Sequence, residues 1–203
     1  FTSRLICIPK SNGGIRPLCV EEVLLKIVNK IVNSAILPHV TRHISKIQTC
    51  LENDNAQLKA VDKLRDLICN CGNNNEKYIV QIDMTNAFGS VKHNVIIREL
   101  QKIDGIDRLT HYISHLLENI KISYDDEEGN SKNRIVTRGV PQGDPLSMTL
   151  FALSLNRVIM KVLAKTAEQK EKEKYNIVAY ADDVLLITDT EKQMDEMFII
   201  FEK

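Results

Sequence analysis

Positions 177 to 187 read Ile177-Val178-Ala179-Tyr180-Ala181-Asp182-Asp183-Val184-Leu185-Leu186-Ile187. An apolar run of this length is typical of a buried strand, yet two adjacent carboxylates interrupt it. Burying an ionised carboxylate without a partner is costly, and burying two side by side costs more. A tight turn between two strands resolves this conflict if it presents both carboxylates to a divalent metal. The run therefore predicts a β-hairpin that carries Asp182 and Asp183 at its turn.

A third carboxylate, Asp83, ends another predicted strand that begins at Tyr78. On its own, an aspartate in this place is typical of a turn. Together with Asp182 and Asp183 it gives three carboxylates at strand ends, which can cluster across one sheet. Hard divalent cations such as Mg²⁺ prefer oxygen ligands of this kind. Two such ions about 3.5–4 Å apart activate an attacking oxygen and stabilise a leaving one, so the pattern indicates phosphoryl or nucleotidyl transfer.

The composition is that of a chain able to fold around a core. Its 203 residues suit one domain, or one domain with a smaller lobe, and the 43% hydrophobic content argues against disorder. The 27 basic and 27 acidic residues balance, which neither indicates nor excludes nucleic acid, because a neutral protein can carry a basic groove. The five cysteines have no framework spacing and indicate reduced thiols.

The two ends of the chain carry no targeting or membrane signal. No signal peptide pattern opens the sequence, and no apolar run reaches the roughly 18 residues that a membrane span needs. We therefore expect no membrane partner and an intracellular location, in the nucleus or the cytoplasm. Because the chain starts at Phe1 without a methionine and stops within a helical pattern at Lys203, we expect both ends to be cut from a longer protein.

Strands and helices mix without regular βαβ alternation, which favours an α+β fold. The predicted strands are Leu5–Pro9, Ile15–Val20, Tyr78–Asp83, Lys121–Tyr124, Arg134–Thr137 and the two arms of the hairpin. The predicted helices are an amphipathic one from Val20 to Ile36 that Pro38 ends, then Asn55–Cys71, His93–Leu100, Ile106–Ile120, a long one from Ser147 to about Leu163 and a final one near the C-terminus. A Gly/Pro-rich loop, Gly139–Ser147, feeds the long helix.

Four stretches, in this order along the chain, resemble the sequence motifs of reverse transcriptases. They are Ile8–Leu18, which is similar to the fingers hairpin; Gln81–Val91, similar to motif A; Gly139–Ser147, similar to motif B; and Tyr180–Asp183, similar to motif C. Each stretch alone is a weak signal, whereas the four together are highly specific. The residues of motifs A and B resemble those of the enzymes of non-LTR retrotransposons and group II introns more than those of retroviral enzymes.

The resemblance implies a role for each matching residue. Asp83, Asp182 and Asp183 are the implied catalytic carboxylates; with the main-chain carbonyl of Met84 they are also the implied ligands of two Mg²⁺ ions, with Mn²⁺ as an alternative. Asp182 is the expected principal ligand beside Asp83, and Asp183 a supporting carboxylate. The implied nucleotide-binding residues are Lys10, Arg16, Ala87, Phe88, Gln142 and Gly143. The implied template and primer contacts are Gly139, Pro141, Tyr180 and Ala181.

Three of these roles make physical sense from the side chains themselves. An arginine can clamp phosphate oxygens with two parallel hydrogen bonds, and a lysine adds a point charge, so Lys10 and Arg16 suit a triphosphate. Alternatively, both are ordinary surface charges on a hairpin. Phe88 corresponds to the position under the sugar, where a rigid ring blocks a 2′-hydroxyl; the alternative is a plain core residue.

The resemblance implies the fingers and palm of a right-hand polymerase. The palm is expected to be an antiparallel sheet of the ferredoxin-like (split βαβ) kind with packed helices. Residues 1–77 are the expected fingers and 78–203 the palm, with 110–138 contributing to the fingers. The implied reaction is RNA-directed DNA synthesis by two-metal catalysis, from an RNA template, a DNA or RNA primer and dNTPs. The parent is expected to be a retroelement polyprotein whose thumb and accessory domains lie outside this chain.

Two other interpretations stay open. One is a decayed or domesticated domain of the same family that binds nucleic acid without catalysis; the intact Asp83, Asp182 and Phe88 argue against it. The other is a different templated polymerase, either RNA-dependent RNA polymerase or telomerase-like. Phe88 argues against the use of ribonucleotides. One departure from the family is Gly89, which stands where many relatives carry an aspartate.

Overall fold

The computed structural model describes residues 2–11, 13–52, 55–69, 77–168 and 176–202. The strands are β1 (Thr2–Pro9), β2 (Ile15–Val20), β3 (Tyr78–Asp83), β4 (Lys121–Asp125), β5 (Ser131–Ile135), β6 (Asn176–Tyr180) and β7 (Asp183–Thr188). The helices are α1 (Val23–His43), α2 (Ala56–Cys69), α3 (Ala87–Ser90), α4 (His93–Leu100), α5 (Asp107–Asn119), α6 (Ser147–Glu168) and α7 (Glu191–Glu202). This mixture confirms the α+β class.

The chain forms two compact units. Unit 1 comprises Phe1–Val40 and Asn86–Phe151, and unit 2 comprises Thr41–Thr85 and Ala152–Lys203. These compact units do not follow the expected division into fingers (1–77) and palm (78–203, with 110–138 returning to the fingers). Since compactness and functional subdomain are different criteria, that division stays a prediction.

Unit 1 contains a four-stranded sheet in the order β2-β1-β4-β5. β1 pairs antiparallel with β2 and parallel with β4, and β4 and β5 form a second hairpin. Large side chains of α4 and α5 are fully buried, among them Ile96, Leu100, Ile113 and Leu117. Each such side chain stabilises the fold by about 1.5–3 kcal/mol.

Unit 2 contains a three-stranded antiparallel sheet in the order β3-β7-β6. The hairpin predicted from the apolar run is confirmed: β6 and β7 flank the turn Ala181-Asp182, and Asp183 is the first residue of β7. β6 and β7 are largely buried, as at Ile177, Leu186 and Ile187, whereas β3 is exposed or half-buried along its length. The sheet thus fixes the positions from which the carboxylates project.

The prediction that Pro38 ends the first helix is wrong, because α1 continues through it to His43. A proline inside a helix costs about 3 kcal/mol through the lost hydrogen bond and a clash with the preceding turn. Val40, on the next turn, is completely buried. Burial of one such side chain recovers about 1.5–3 kcal/mol, which offsets most of that cost.

The buried face of α1 also differs from the apolar pattern in the sequence. Its buried residues are Leu25, Asn29, Val32, Ile36 and Val40, at helical spacing. Val23, Leu24, Ile27, Val28 and Ile31 belong to the predicted apolar rhythm but are between 42% and 78% exposed. The polar Asn29, by contrast, is fully buried, and its partners are described below.

The second strand predicted in the 121–137 region begins three residues earlier than expected, at Ser131 rather than Arg134. The Asp126 side chain sets this boundary, since its Oδ1 accepts hydrogen bonds from the amides of Glu128 and Asn130 at 3.1 and 2.8 Å. The turn therefore closes at Asn130. The predicted end of the second helix, at Cys71, lies outside the described residues.

Two helical windows are long and apolar enough to cross a membrane by length and composition alone: Val23–His43, and Ser147–Ala164 within α6. Core helices of soluble proteins pass the same test, and 61% of the second window is buried. The first window, of which 28% is buried, contains Lys26 and Lys30 and is therefore not a continuous run of apolar residues.

Candidate active site

The three candidate carboxylates lie at one end of the unit 2 sheet. Asp83 is the last residue of β3 and Asp183 the first of β7, and the register pairs them directly across the two strands. Residues opposite each other in an antiparallel pair project to the same face, with Cβ atoms about 4.5–5.5 Å apart. Asp182 occupies the adjoining turn. The fold therefore brings Asp83 next to Asp183, which is distant from it in sequence, with Asp182 in the adjoining turn.

The turn that carries Asp182 is held in a strained conformation. Ala181 has a positive φ of 53°, which costs a non-glycine residue about 1–2 kcal/mol. The buried side chain of Gln48 forms hydrogen bonds with both main-chain polar groups of Ala181. The Ala181 amide donates to Gln48 Oε1 at 2.9 Å, and Gln48 Nε2 donates to the Ala181 carbonyl at 3.2 Å. The side chain of Gln48 thus stabilises the conformation of the turn that contains Asp182.

The residues around Gln48 extend this support along β6. The amide of Ala179 donates to the Ile47 carbonyl at 3.2 Å, and its carbonyl accepts from the Thr49 amide at 3.0 Å. The Thr49 hydroxyl adds a further bond to the same carbonyl at 3.2 Å. Sequence reasoning missed this segment, Ile47–Thr49, because it lies 130 residues or more from its partners and has no strand pattern of its own.

The donor set at this end of the sheet fits a hard divalent cation in chemistry, since it offers carboxylate oxygens. Within the described ranges, no lysine or arginine forms an ion pair with Asp83, Asp182 or Asp183, so nothing there neutralises their charge. Over the same ranges, no three His, Cys, Asp or Glu side chains are grouped so that they could hold a metal ion by themselves. The assignment of the three carboxylates and the Met84 carbonyl as metal ligands therefore stays a prediction.

Cys50 is the nearest thiol in sequence to this support segment. Burial raises the pKa of its thiol to about 11, and the charge of Asp182 adds to the rise. The thiol is therefore neutral at physiological pH.

Phe88, the candidate steric filter, lies in unit 1 on the short helix α3. Its ring is half-buried and stacks on Phe151, with ring centroids 4.6 Å apart and an angle of 20° between the planes. The Phe88 carbonyl also accepts a hydrogen bond from the Val140 amide at 2.8 Å. The ring thus packs against the core and is partly exposed, and its role as a steric filter stays a prediction. The preceding candidate, Ala87, is buried.

The motif B loop packs against motif A so closely that residue 139 must be glycine. A Cβ at Gly139 would lie 2.6 Å from the backbone of Gly89, and the φ of Gly139 is +85°. The carbonyl of Gly139 accepts a 2.8 Å hydrogen bond from the His93 ring, and its amide donates to Val91. A Cβ at Gly89 would itself lie 2.5 Å from the Asn86 side chain, so position 89 leaves little room for a side chain.

The other end of the loop contacts β2. The Gln142 carbonyl accepts a hydrogen bond from the Cys19 amide at 2.8 Å, and a Cβ at Gly143 would lie 2.8 Å from the Cys19 carbonyl. A cavity of about 200 Å³ opens here, lined by Gly139, Pro141 and Gln142 together with side chains of β1 and β2. Arg138 also lines this cavity. Sequence reasoning missed Arg138, although its position directly before the motif was a usable signal.

Lys10 and Arg16 line one open cleft of about 360 Å³ at the end of the β1–β2 hairpin, with Ile8, Pro9 and Ser11. Ile8 and Arg16 are cross-strand partners. Both cations are exposed, and neither has an ion-pair partner among the residues that the structure describes. The hairpin thus holds two free positive charges in one cleft, which suits an anionic ligand.

The sequence matches the family described as reverse transcriptase (RNA-dependent DNA polymerase) over residues 8–203. It is 28% identical to the retrovirus-related Pol polyprotein of the type-1 retrotransposable element R2 of Nasonia vitripennis and 26% identical to that of the type-2 element R2DM of Drosophila melanogaster. Each match covers 93% of this chain, but only 19% and 18% of those relatives.

The fold is similar to a telomerase from Candida albicans, solved with a TWJ fragment of telomeric RNA, with a TM-score of 0.73. That likeness covers all of this chain and 40% of the telomerase at 15% sequence identity, so it speaks for the polymerase fold alone. The family match extends over both units, all four motifs and the paired carboxylates. On this evidence, the chain belongs to the reverse transcriptase family.

Proposed function

We propose that this chain forms the nucleotidyl-transfer site of a retroelement polymerase that copies an RNA template into DNA. The observation that carries the proposal is the β3–β7 register, which sets Asp83 opposite Asp183 with Asp182 in the adjoining turn. The relatives with the matching sequence are retrotransposon Pol polyproteins, and a structural neighbour carries RNA. The substrates that fit are an RNA template, a primer with a free 3′-hydroxyl and dNTPs.

The carboxylates and the basic side chains have separate electrostatic roles in the proposed reaction. Asp83, Asp182 and the Met84 carbonyl would hold two divalent ions, Mg²⁺ or Mn²⁺, with Asp183 in support. When bound, these ions supply activation of the primer hydroxyl and stabilisation of the leaving pyrophosphate. Lys10 and Arg16 neutralise the triphosphate of the incoming nucleotide. Most of the rate enhancement then comes from positioning and electrostatics rather than covalent chemistry by the protein.

The remaining candidate residues select and place the substrates. The braced ring of Phe88 excludes a 2′-hydroxyl from the nucleotide pocket, and Ala87 leaves space for the sugar beside it. Gln142 and Gly143 line the nucleotide, while Gly139, Pro141, Tyr180 and Ala181 contact template and primer. We expect this activity to belong to a longer retroelement polyprotein.

The test is primer extension by the full-length protein on an RNA template with dNTPs and Mg²⁺, comparing wild type with Asp182→Asn. Loss of one metal-binding charge should reduce extension by about a hundredfold or more, because several kcal/mol of transition-state stabilisation disappear. Asp195→Asn, an exposed aspartate of α7, is the matched control and should behave as wild type.

Equal extension by wild type and Asp182→Asn would refute the metal assignment. No extension by wild type, with RNA binding retained, would favour the decayed nucleic-acid-binding interpretation. A preference for rNTPs over dNTPs would favour an RNA polymerase instead.

A further inference from the structure

The buried face of α1 carries a single polar residue, Asn29, between apolar residues such as Leu25 and Val32. Its side chain is completely buried. An amide buried this deeply cannot exchange its hydrogen bonds with water, so each of its polar atoms needs a partner within the protein. The identity of these partners therefore shows why a polar side chain stands on this face.

Both polar groups of the Asn29 side chain have a partner. The Tyr112 hydroxyl of α5 donates to Asn29 Oδ1 at 2.7 Å, and Asn29 Nδ2 donates to Asp144 Oδ2 at 3.3 Å. Asp144 is a buried residue of the motif B loop, and its second oxygen, Oδ1, accepts the Leu146 amide at 2.8 Å. One chain of hydrogen bonds thus runs from α5 through α1 into the loop, entirely within unit 1.

The tyrosine hydroxyl determines which way the Asn29 amide points. An asparagine side chain offers an acceptor on one side and donors on the other. Because the hydroxyl donates to Oδ1, the NH₂ group faces Asp144. A carboxylate only accepts hydrogen bonds, so this orientation supplies the donor that Asp144 needs.

Asp144 in turn organises the turn that contains Gln142. Its amide donates to the Pro141 carbonyl at 3.3 Å, and its carbonyl accepts the Ser147 amide at 3.1 Å. The Ser147 hydroxyl donates to the same Pro141 carbonyl at 2.6 Å. These bonds lie on both sides of Gln142 and Gly143. A shift of Asp144 therefore moves Gln142 as well.

A second asparagine of α1 supplies a comparison within the same helix. Asn33 lies one turn after Asn29 and is half-buried. Its Oδ1 accepts a hydrogen bond at 2.7 Å from the hydroxyl of Thr149, in the first turn of α6. Asn33 thus supports the helix that follows the loop, whereas Asn29 contacts the loop itself.

We propose that Asn29 is a positioning residue of the polymerase. Its hydrogen bonds with Tyr112 and Asp144 hold the motif B loop, Gly139–Ser147, in the conformation that presents Gln142 to the incoming nucleotide. The contact of Gln142 with the nucleotide rests on the proposed function, whereas the hydrogen bonds do not. A fully satisfied buried polar network selects one arrangement of its members, which apolar packing alone does not do.

The first experiment measures KM and kcat for dNTP in primer extension by the full-length protein, comparing wild type with Asn29→Leu and Asn33→Leu. Leucine fills a similar volume but forms no side-chain hydrogen bond. Asn29→Leu should raise KM at least about fivefold with kcat within about twofold of wild type, because the nucleotide loses a positioned contact while the carboxylates stay in place. Asn33→Leu should leave KM within about twofold of wild type. An unchanged KM in Asn29→Leu, or an equal rise in both variants, would overturn the positioning role.

A double variant, Asn29→Asp with Asp144→Asn, exchanges donor and acceptor across the contact. The introduced asparagine donates to the introduced aspartate, and its carbonyl oxygen still accepts the Leu146 amide. The introduced aspartate still accepts the Tyr112 hydroxyl. Because all three hydrogen bonds are retained, KM should lie within about twofold of wild type. A KM as high as that of Asn29→Leu would show that these hydrogen bonds do not position the loop.

The second experiment is amide hydrogen–deuterium exchange of the full-length protein without substrates. The loop peptide, and the Cys19 amide that donates to the Gln142 carbonyl, should exchange at least about threefold faster in Asn29→Leu than in wild type. The double variant and Asn33→Leu should match wild type in these peptides. Loop exchange in Asn29→Leu that equals wild type would overturn the anchoring of the loop by Asn29.

Tyr112→Phe keeps the proposal testable if Asn29→Leu fails to fold, because it removes only the hydroxyl that orients the amide. Loop exchange and KM should each rise by about twofold or more in this variant. No change in either quantity would overturn the proposal. Because exchange needs no catalysis, an inactive wild type refutes the proposed function, while the exchange result still decides whether Asn29 holds the loop.

Discussion

At the scale of single residues, the proposed selection between deoxyribonucleotides and ribonucleotides rests on Phe88. Its ring is stacked on the buried Phe151, so it cannot swing aside without losing that contact. A rigid obstacle is what discrimination against one extra hydroxyl requires, since a soft pocket rejects such a group poorly.

We predict that Phe88→Ala lowers the preference for dNTPs over rNTPs by about tenfold to a hundredfold, because the obstacle to the 2′-hydroxyl is removed. The measurement is the ratio of kcat/KM for a matched dNTP and rNTP in the full-length protein. Phe88→Tyr, which keeps the ring, should retain the preference. An unchanged ratio in Phe88→Ala would show that Phe88 is only a core residue.

At the scale of elements, the hairpin β6–β7 depends on a segment that is not part of it. The strained Ala181 turn receives two hydrogen bonds from Gln48, and β6 receives main-chain bonds from Ile47 and Thr49. The pattern of apolar residues predicted the hairpin itself, because strand burial leaves a local signature. It could not predict the support, because a hydrogen bond between residues 133 positions apart leaves no local signature in the sequence.

We predict that Gln48→Ala destabilises the protein by about 1–3 kcal/mol, since two net hydrogen bonds of about 0.5–1.5 kcal/mol each are lost. Extension should also fall, because the turn no longer aims Asp182. Thermal unfolding and primer extension of the full-length protein measure the two effects. Gln57→Ala, at an exposed position of α2, is the control, and identical behaviour of the two variants would contradict the clamp.

At the scale of the whole molecule, the chain spans about a fifth of the length of the R2 relatives it matches. Polymerases hold a duplex over several base pairs, and each lost contact raises the rate of dissociation. We predict that the 203-residue chain alone makes shorter products per binding event than the full-length protein, measured with a heparin trap that blocks rebinding. Equal product lengths would show that these residues hold the duplex by themselves.

The sequence by itself pointed to the reverse transcriptase family, because each motif is a local arrangement of residue types: a hairpin with two aspartates, a strand ending in a third, and a Gly-rich loop before a helix. The sequence also located most strands and helices, but it missed the short helix α3, the continuation of α1 past Pro38 and the earlier starts of β1, at Thr2, and of β5, at Ser131. Only the tertiary structure decided which contacts hold these strands, turns and loops in place. The opposition of Asp83 and Asp183, the Gln48 hydrogen bonds, the contact of Gly139 with Gly89 and the hydrogen bond of Asn29 with Asp144 all join residues far apart in the chain. Such contacts depend on how elements pack, and packing leaves no trace in a local pattern of apolar and polar residues.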